Sequence, residues 1–288
     1  MKTIKRILVF VSATVRFALF WAWAALHIPL MLINPGGRWG ALQLKILMRG
    51  AGWLCGLRYK IYGQLSDARP LLLIGNHISV FEFMAIPAAL GANFFGKQEI
   101  AKMPLVGWAA RKMGVQFIDR NPAKAQEMTR KIKNWTTTAK WPMAIFPEGT
   151  STDGANVIPF KSALFRLIEP QLGGDASVTQ FTVQPFVMFF RRPDGSHVSD
   201  HYMAHNYASF NKDTMMQYYN SQPEKKPTWD SDFKMLGDFA QVFHVMKLGG
   251  ILVEIHLLPP PPLAEIKDRK QLASSLHKIV SDKYNKLK

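Results

Sequence analysis

A long apolar stretch, residues 7–33, opens the hydrophobic pattern of the chain and is interrupted by Arg16, His27 and Pro29. The uninterrupted run of residues 17–25 is too short for the roughly 20 apolar residues that cross a bilayer as a helix. The whole stretch is long enough if Arg16 extends its side chain toward the membrane surface. A cleaved signal peptide is the weaker interpretation, because no small-residue cleavage site follows in register.

A second apolar pattern follows the turn at residues 34–37 and continues at helical spacing. Its apolar positions are interleaved with Arg38, Lys45 and Arg49, a composition typical of a helix lying in the lipid headgroup region. We therefore predict a membrane-docking unit of two helices over residues 1–58, either wholly interfacial or with one helix inserted. Two core helices of a soluble domain are the alternative.

From residue 59 onward, short apolar runs alternate with segments of helical periodicity. The strand candidates are residues 59–62, 71–74, 115–118, 143–146, 182–190 and 251–257. The helix candidates are residues 81–90, 105–113, 123–138 and 162–168. This alternation predicts an α/β domain over residues 59–288, with a mixed, mostly parallel sheet flanked by helices. An irregular polar insertion is expected at about residues 193–235 and a C-terminal helix at about residues 264–287. The strand order stays open.

The net charge is strongly basic: 36 Lys and Arg against 20 Asp and Glu give +16, and no acid precedes Asp67. A basic excess within the most apolar region suits an anionic lipid surface, where each nearby Lys or Arg contributes about 1 kcal/mol. Nucleic acid is not expected as a partner, because no zinc-finger or RNA-binding signature accompanies the charge. Cys55 is the only cysteine, which excludes a disulfide framework and indicates a reducing compartment.

The strongest catalytic candidate is His77, which ends an apolar run and precedes Glu82 by five residues. Open α/β sheets place catalytic groups at the carboxyl ends of their strands. Residues five apart on a helix diverge by about 140°, so these side chains meet only if Glu82 reaches back from the first turns of a helix. Such a carboxylate orients one imidazole nitrogen and leaves the other free to accept a proton. A helix-capping His beside an unrelated Glu is the alternative.

A second candidate is the turn at residues 145–154, Ile-Phe-Pro-Glu-Gly-Thr-Ser-Thr-Asp-Gly, which follows another apolar run. Gly149 and Gly154 permit close backbone approach, and the neighbouring hydroxyl and N–H groups suit a phosphate or a thioester carbonyl oxygen. No Gly-Lys-Ser/Thr follows, so this is not a Walker loop. An ordinary turn is the alternative.

Together and in this order, the motifs resemble those of the glycerolipid acyltransferase family, which includes 1-acylglycerol-3-phosphate acyltransferases. The resemblance spans about residues 57–190, in four blocks: Asn76-His77 with Glu82, residues 114–120, residues 146–150 and residues 183–186. It implies a metal-free transfer of a fatty acyl group from a thioester to the hydroxyl of a lysophospholipid. The first expected acceptor is 1-acylglycerol-3-phosphate, which would give phosphatidic acid. His77 would deprotonate the hydroxyl, and Glu82 would orient His77.

With the resemblance, the expected substrate-binding residues are Arg120, Glu148, Gly149, Thr150 and Ser151, and Lys161 joins them as a candidate from this chain's own sequence. Arg120 would bind the acceptor's phosphate through its guanidinium fork. Two departures from the family pattern stand out. Glu82 occupies a position that is usually Asp, and Thr150 is not followed by the common Arg. Lys161 is the candidate replacement for that cation, and lyso-ornithine lipid or another lysolipid is the alternative acceptor.

No cofactor is expected beyond the co-substrate, acyl-CoA or acyl-ACP (acyl carrier protein). The expected partners are membrane lipids, the lysophospholipid acceptor and acyl carrier protein, at the cytoplasmic face of a membrane such as the bacterial inner membrane. The rival from another class is a non-catalytic lipid-binding membrane protein. His197, His201 and His205 have helical spacing, but they lie in the polar insertion without the Glu of a His-Glu-x-x-His site, so no metal is expected.

Overall fold

A seven-stranded sheet forms the centre of the protein in a computed structural model. The strands are β1 (Leu57–Tyr62), β2 (Leu71–Gly75), β3 (Asn93–Lys97), β4 (Gln116–Ile118), β5 (Met143–Ile145), β6 (Thr182–Arg191) and β7 (Ile251–Leu257). Their order is β1-β7-β6-β2-β5-β3-β4, and all neighbours are parallel except β6 and β7. The prediction of a mixed, mostly parallel sheet flanked by helices is confirmed.

The structure describes residues 2–118, 135, 141–168, 172, 182–197, 212–225 and 238–288. Its helices are α1 (Lys2–Ile33), α2 (Gly37–Cys55), α3 (Glu82–Leu90), α4 (Gln98–Ala101), α5 (Pro104–Lys112), α6 (Lys212–Ser221), α7 (Asp238–Leu248) and α8 (Arg269–Asn285). Apart from Trp135, the predicted helix at 123–138 lies outside the described residues, as does Arg120.

The central strands are buried on both faces, which explains their continuous apolar sequence. All five residues of β2 are buried, and β6 is buried from Val183 to Phe190. Gly75 ends β2 beside the ring of Phe186, where an added Cβ would lie 2.5 Å from the ring. Only glycine fits there. The glycine lets β2 and β6 pair closely up to the end of β2, where Asn76 and His77 follow.

Several elements differ from the sequence prediction, and the helices α4 and α7 were not predicted at all. Strand β3 was not predicted, because Asn93, Gly96 and Lys97 are uncommon in strands and offset the two phenylalanines between them. Pairing with β4 and β5 holds this segment extended. The insertion predicted as irregular contains α6, whose Met215 and Tyr219 bury one helical face. The helix predicted at 162–168 is a short 3₁₀ helix, Ser162–Leu167.

One side of α1 packs on the protein from Ala13 onward. Ala13, Phe20, His27 and Met31 are buried, and α1 contacts α2, α5 and α7. The sequence analysis made a membrane span conditional on Arg16 extending its side chain toward the membrane surface. In the structure, the side chain of Arg16 instead binds the rest of the protein. Its Nε donates to the Leu54 carbonyl at 2.8 Å and its Nη1 to the Met246 carbonyl at 3.4 Å. Carbonyls in the last turns of α2 and α7 keep acceptor capacity that the helices do not use, so they can accept from the guanidinium; the Met246 carbonyl also accepts the Gly249 N–H at 3.3 Å.

The opposite side of α1 is apolar and exposed from end to end. Its exposed side chains include Ile7, Leu8, Val15, Leu19, Leu26, Leu30 and Ile33. The helix α2 and the segment around the start of α5 add Trp39, Leu42, Ile46, Trp53, Met103, Leu105 and Val106. In the described part of the chain, α1 is the one helix long and apolar enough to cross a membrane. A continuous apolar surface of this extent is typical of proteins that associate with membranes.

Candidate active site

The residue before the candidate base fixes the end of β2 to its neighbour. The side-chain amide of Asn76 donates to the Met188 carbonyl at 2.9 Å and accepts from the Met188 N–H at 2.8 Å. This pair of bonds imitates strand pairing across β2 and β6, so the backbone of His77 leaves the sheet at a defined angle. His77 therefore lies at the carboxyl edge of a central strand, where α/β sheets place ligands.

His77 and Glu82 are in direct contact. Nδ1 of His77 lies 2.7 Å from Oε2 of Glu82, which is the first residue of α3 and is fully buried. The same carboxylate accepts the N–H of Ile78 at 2.5 Å and that of Ser79 at 3.0 and 3.1 Å. With its oxygens so occupied, Glu82 is held as an acceptor for an Nδ1 proton. Nε2 is then the ring nitrogen with a free lone pair.

Aromatic rings enclose the imidazole. Phe146 stacks on His77 with ring centres 4.7 Å apart, and Phe83 meets it edge-on at 5.8 Å. Only 13% of the His77 side-chain surface is exposed. The ring is therefore fixed by packing as well as by Glu82, and a small part of it remains accessible.

Glu148 joins the two motifs through the backbone of His77. Its Oε1 accepts the His77 N–H at 2.6 Å, and its Oε2 accepts the Ile158 N–H at 2.9 Å. Thr152 donates its N–H and its hydroxyl to the His77 carbonyl at 2.8 and 3.1 Å. Burial raises the pKa of Glu148 well above its ordinary value, although both N–H bonds oppose the shift. Its predicted substrate-binding role stays a prediction, since both oxygens face backbone in this state.

Lys161 lies directly over the turn that the sequence analysis singled out. Gly149 has a φ of +71°, and an added Cβ would lie 2.9 Å from Cδ and 3.0 Å from Nζ of Lys161. The backbone N–H of Lys161 donates to the Pro147 carbonyl at 2.9 Å. Thr150 is buried and Ser151 is half-buried in the same turn. A cation is therefore present beside Gly149, whereas Arg120 cannot be placed because it lies outside the described residues.

Two tyrosines that the sequence did not indicate form hydrogen bonds with the end of the turn at residues 145–154. The Tyr219 hydroxyl of α6 donates to Oδ2 of the buried Asp153 at 2.7 Å, and the Tyr284 hydroxyl of α8 donates to the Gly154 carbonyl at 2.5 Å. Oδ1 of Asp153 accepts the Ala155 N–H at 2.9 Å. Both tyrosines are distant in sequence from the loop, and no local pattern links either one to it.

The described residues contain no group of three or more His, Cys, Asp or Glu side chains that could hold a metal ion. His197 is a core residue that stacks on Phe189 with ring centres 4.1 Å apart. Burial, reinforced by the charges of Lys288 and Arg191, lowers the pKa of His197 to about 3. It is therefore neutral at physiological pH. His201 and His205 lie outside the described residues.

Comparisons with known proteins identify similar acyltransferases. The family model described as "Acyltransferase" matches residues 57–188. A lyso-ornithine lipid O-acyltransferase of Rhodobacter capsulatus is 28% identical over 88% of this chain and 82% of its own length. A 1-acyl-sn-glycerol-3-phosphate acyltransferase of Neisseria gonorrhoeae is 31% identical over 33% of this chain and 38% of its own.

A solved structure has a similar fold. The crystal structure of the 1-acyl-sn-glycerophosphate acyltransferase PlsC from Thermotoga maritima matches with a TM-score of 0.60, covering 100% of this chain and 98% of that one. At 14% identity, this likeness concerns the fold alone. The exposed apolar helix and the lipid-modifying relatives together identify a membrane-associated protein. The matched residues 57–188 include the His77 and Gly149 motifs, so this part of the chain is an acyltransferase domain.

Proposed function

We propose that this enzyme transfers a fatty acyl group from an acyl thioester to the free hydroxyl of a lysolipid. The observation that carries the proposal is the 2.7 Å contact between His77 Nδ1 and the buried carboxylate of Glu82. It leaves Nε2 as a base at the carboxyl edge of the sheet, within an aromatic enclosure that restricts water. A non-catalytic lipid-binding protein has no need for this pairing.

The proposed transfer is a single displacement at the thioester carbonyl. Nε2 of His77 takes the proton of the acceptor hydroxyl while that oxygen forms a bond to the carbonyl carbon. The carbon–sulfur bond then breaks, and the imidazolium returns the proton to the leaving thiolate, so that an ester and a free thiol are released. Glu82 stabilises the positive charge that His77 carries in between. The proposal needs no metal, no cofactor and no covalent intermediate on the protein.

For the acceptor, we propose lyso-ornithine lipid first. Two relatives named as lyso-ornithine lipid O-acyltransferases, from Rhodobacter capsulatus and Brucella abortus, match across 82% and 76% of their own lengths. Ser151 also stands where the family commonly has Arg, so this turn contributes less positive charge toward a phosphate. An acceptor with an amino-acid headgroup needs that charge less.

The second candidate acceptor is 1-acylglycerol-3-phosphate, which the position of Lys161 over Gly149 favours. The ammonium group of Lys161 can replace the Arg that the family commonly has where this chain has Ser151. Arg120 keeps its predicted role in phosphate binding. Gly149, Thr150 and Ser151 would bind the polar headgroup of either acceptor through hydroxyl and backbone groups. Acyl-CoA and acyl-ACP are both proposed as donors, since the basic surface suits the phosphates of the one and the acidic carrier of the other.

The test is an acyl-transfer assay with both acceptors and both donors, on wild type and on Lys161→Met. We expect transfer by the wild type, with lyso-ornithine lipid as the better acceptor. Lys161→Met should raise the KM for 1-acylglycerol-3-phosphate more than the KM for lyso-ornithine lipid. Lys278→Met, on the exposed face of α8, is the matched control and should change neither value. No transfer from any donor to any lysolipid would overturn the proposal.

We further propose that the enzyme lies on the cytoplasmic face of a bacterial inner membrane with α1 in the membrane plane. One side of α1 packs against α2, α5 and α7 while its other side is apolar at both ends, so a perpendicular helix would draw these elements into the lipid. Thioester donors are made in the cytosol, and Lys5 and Arg6 fit the positive-inside rule. Protease treatment of right-side-out and inverted membrane vesicles tests this: α8 should be cleaved in inverted vesicles alone.

A further inference from the structure

A recess lies between the first turns of α1 and the last turn of α7. Its volume is about 1000 Å³, and it is lined by Thr3, Lys5, Arg6, Ile7, Val9 and Phe10 from α1 and by His244, Lys247 and Leu248 from α7. Phe10 packs edge-on against Phe243, with ring centres 5.9 Å apart, which joins the two helices at the base of the recess. The recess is therefore a feature of helix packing and not of a single surface side chain.

Three cations share this recess without a counter-charge. Lys5, Arg6 and Lys247 line it, the lining includes no carboxylate, and none of the three forms an ion pair with another described residue. The Nε2 atom of His244 is buried and has no hydrogen-bond partner in the described part of the chain. Three like charges along one recess make its electrostatic potential positive, which favours the binding of an anion there.

The remaining walls indicate what kind of anion fits. Ile7, Phe10 and Leu248 are exposed apolar side chains beside the cations, and the recess continues into the apolar outer face of α1. A free inorganic anion would leave these side chains in water. An anionic phospholipid would cover both parts, with its phosphate among the cations and its chains along the apolar face.

The pairing of β6 with β7 and with β2 shows where the recess lies relative to the candidate active site. Leu252, at the start of β7, pairs with Arg191 at the end of β6, so the C-terminal end of α7 reaches the sheet at the carboxyl end of β6. β2 runs parallel to β6 and ends in the same direction, toward His77. The recess is thus at the same edge of the sheet as His77, but it is built from elements that contribute nothing to the candidate active site.

We propose that the recess between α1 and α7 binds the phosphate headgroup of an anionic membrane phospholipid, as a site separate from the acceptor site. Bound lipid would fix the position of the carboxyl edge against the membrane. The proposal rests on membrane association and not on acyl transfer, so it can be tested without measuring turnover.

Native mass spectrometry of the full chain in a neutral detergent provides the test, with phosphatidylglycerol and phosphatidylcholine as the probes. We expect wild type to retain phosphatidylglycerol preferentially. The triple variant Lys5→Gln, Arg6→Gln, Lys247→Gln should lose about 100-fold in affinity for it, at about fivefold for each cation, with little change for phosphatidylcholine. The control removes the same charge elsewhere, by Lys267→Gln, Lys270→Gln and Lys286→Gln at exposed positions in and beside α8. This control should retain the preference.

Two further measurements separate a built site from general charge attraction. A photoreactive phosphatidylglycerol should crosslink within residues 3–10 or 244–248. Inorganic phosphate should not displace it, since phosphate gains nothing from the apolar wall. Equal losses in the two triple variants, crosslinks confined to other segments, or displacement by inorganic phosphate would each overturn the proposal. All six substituted side chains are exposed, so the thermal unfolding midpoint should stay unchanged and exclude misfolding as the cause.

Discussion

The loop around His77 and the outer face of α1 are stabilised in opposite ways. In the loop, the buried carboxylates of Glu82 and Glu148 accept several backbone N–H groups at fixed distances, and each bond constrains the imidazole. On α1, Leu8 and Ile33 expose 63% and 80% of their surface and form no hydrogen bonds through their side chains. The function of the loop depends on the exact positions of its atoms, whereas membrane binding by the helix face depends only on its apolar character and its length. Substitutions in the two regions should therefore affect different properties.

The largest effect should follow from His77→Ala. Removing the general base should lower kcat by about 10³-fold, within the range of general acid–base catalysis. Membrane binding, measured by liposome flotation, and the thermal unfolding midpoint should both stay at the wild-type value. Turnover close to wild type in a folded His77→Ala protein would contradict the proposed mechanism.

Glu82→Gln should lower kcat by about 100-fold with little change in KM. The amide lacks the charge that stabilises the imidazolium, and its NH₂ group would face the N–H groups of Ile78 and Ser79. Glu82→Asp keeps the charge on a shorter arm and should recover part of the rate. Steady-state kinetics on both variants would sharpen the assignment, and an unchanged kcat for Glu82→Gln would remove this residue from the catalytic pair.

Tyr219→Phe should reduce the free energy of unfolding by about 1–3 kcal/mol, because the buried Asp153 carboxylate loses its hydroxyl donor. Urea unfolding measures the change. Tyr62→Phe is the control, since Tyr62 is exposed and should cost little. If the two variants were equally stable, the loop would not depend on its link to α6.

The smallest effect on stability should come from the outer face of α1. Leu19→Gln should change the free energy of unfolding by no more than about 0.5 kcal/mol and weaken liposome binding about fivefold, since Leu19 is half exposed. The adjacent Phe20 is buried and stacks on Phe17, so Phe20→Ala should instead destabilise the fold. Equal unfolding energies for these neighbours would show that α1 does not pack as described.

The sequence was informative wherever the interacting residues are close in the chain. Glu82 lies within five residues of His77, so a helical angle was enough to predict that one must precede the helix. The apolar runs of β2 and β6 likewise indicated buried strands directly. These features depend on local periodicity, which is visible without a structure.

Contacts between distant segments could not be predicted in this way. Tyr219 and Tyr284 reach the loop from α6 and α8, and Asn76 binds the backbone of Met188 across the sheet. Nothing in the residues around a tyrosine tells which carboxylate or carbonyl it will meet. Strand β3 was missed for a related reason, since its neighbours in the sheet, and not its own composition, hold it extended.

The contacts of Arg16 have a consequence for how this enzyme leaves a bilayer. Withdrawing α1 into lipid would break the bonds from Arg16 to the Leu54 and Met246 carbonyls and carry an unpaired guanidinium into hydrocarbon. The helix is thus fastened at its middle to the rest of the fold. We expect the protein to exchange between vesicles as one rigid body. After extraction from the membrane by detergent, α1 should still be packed against α2 and α7.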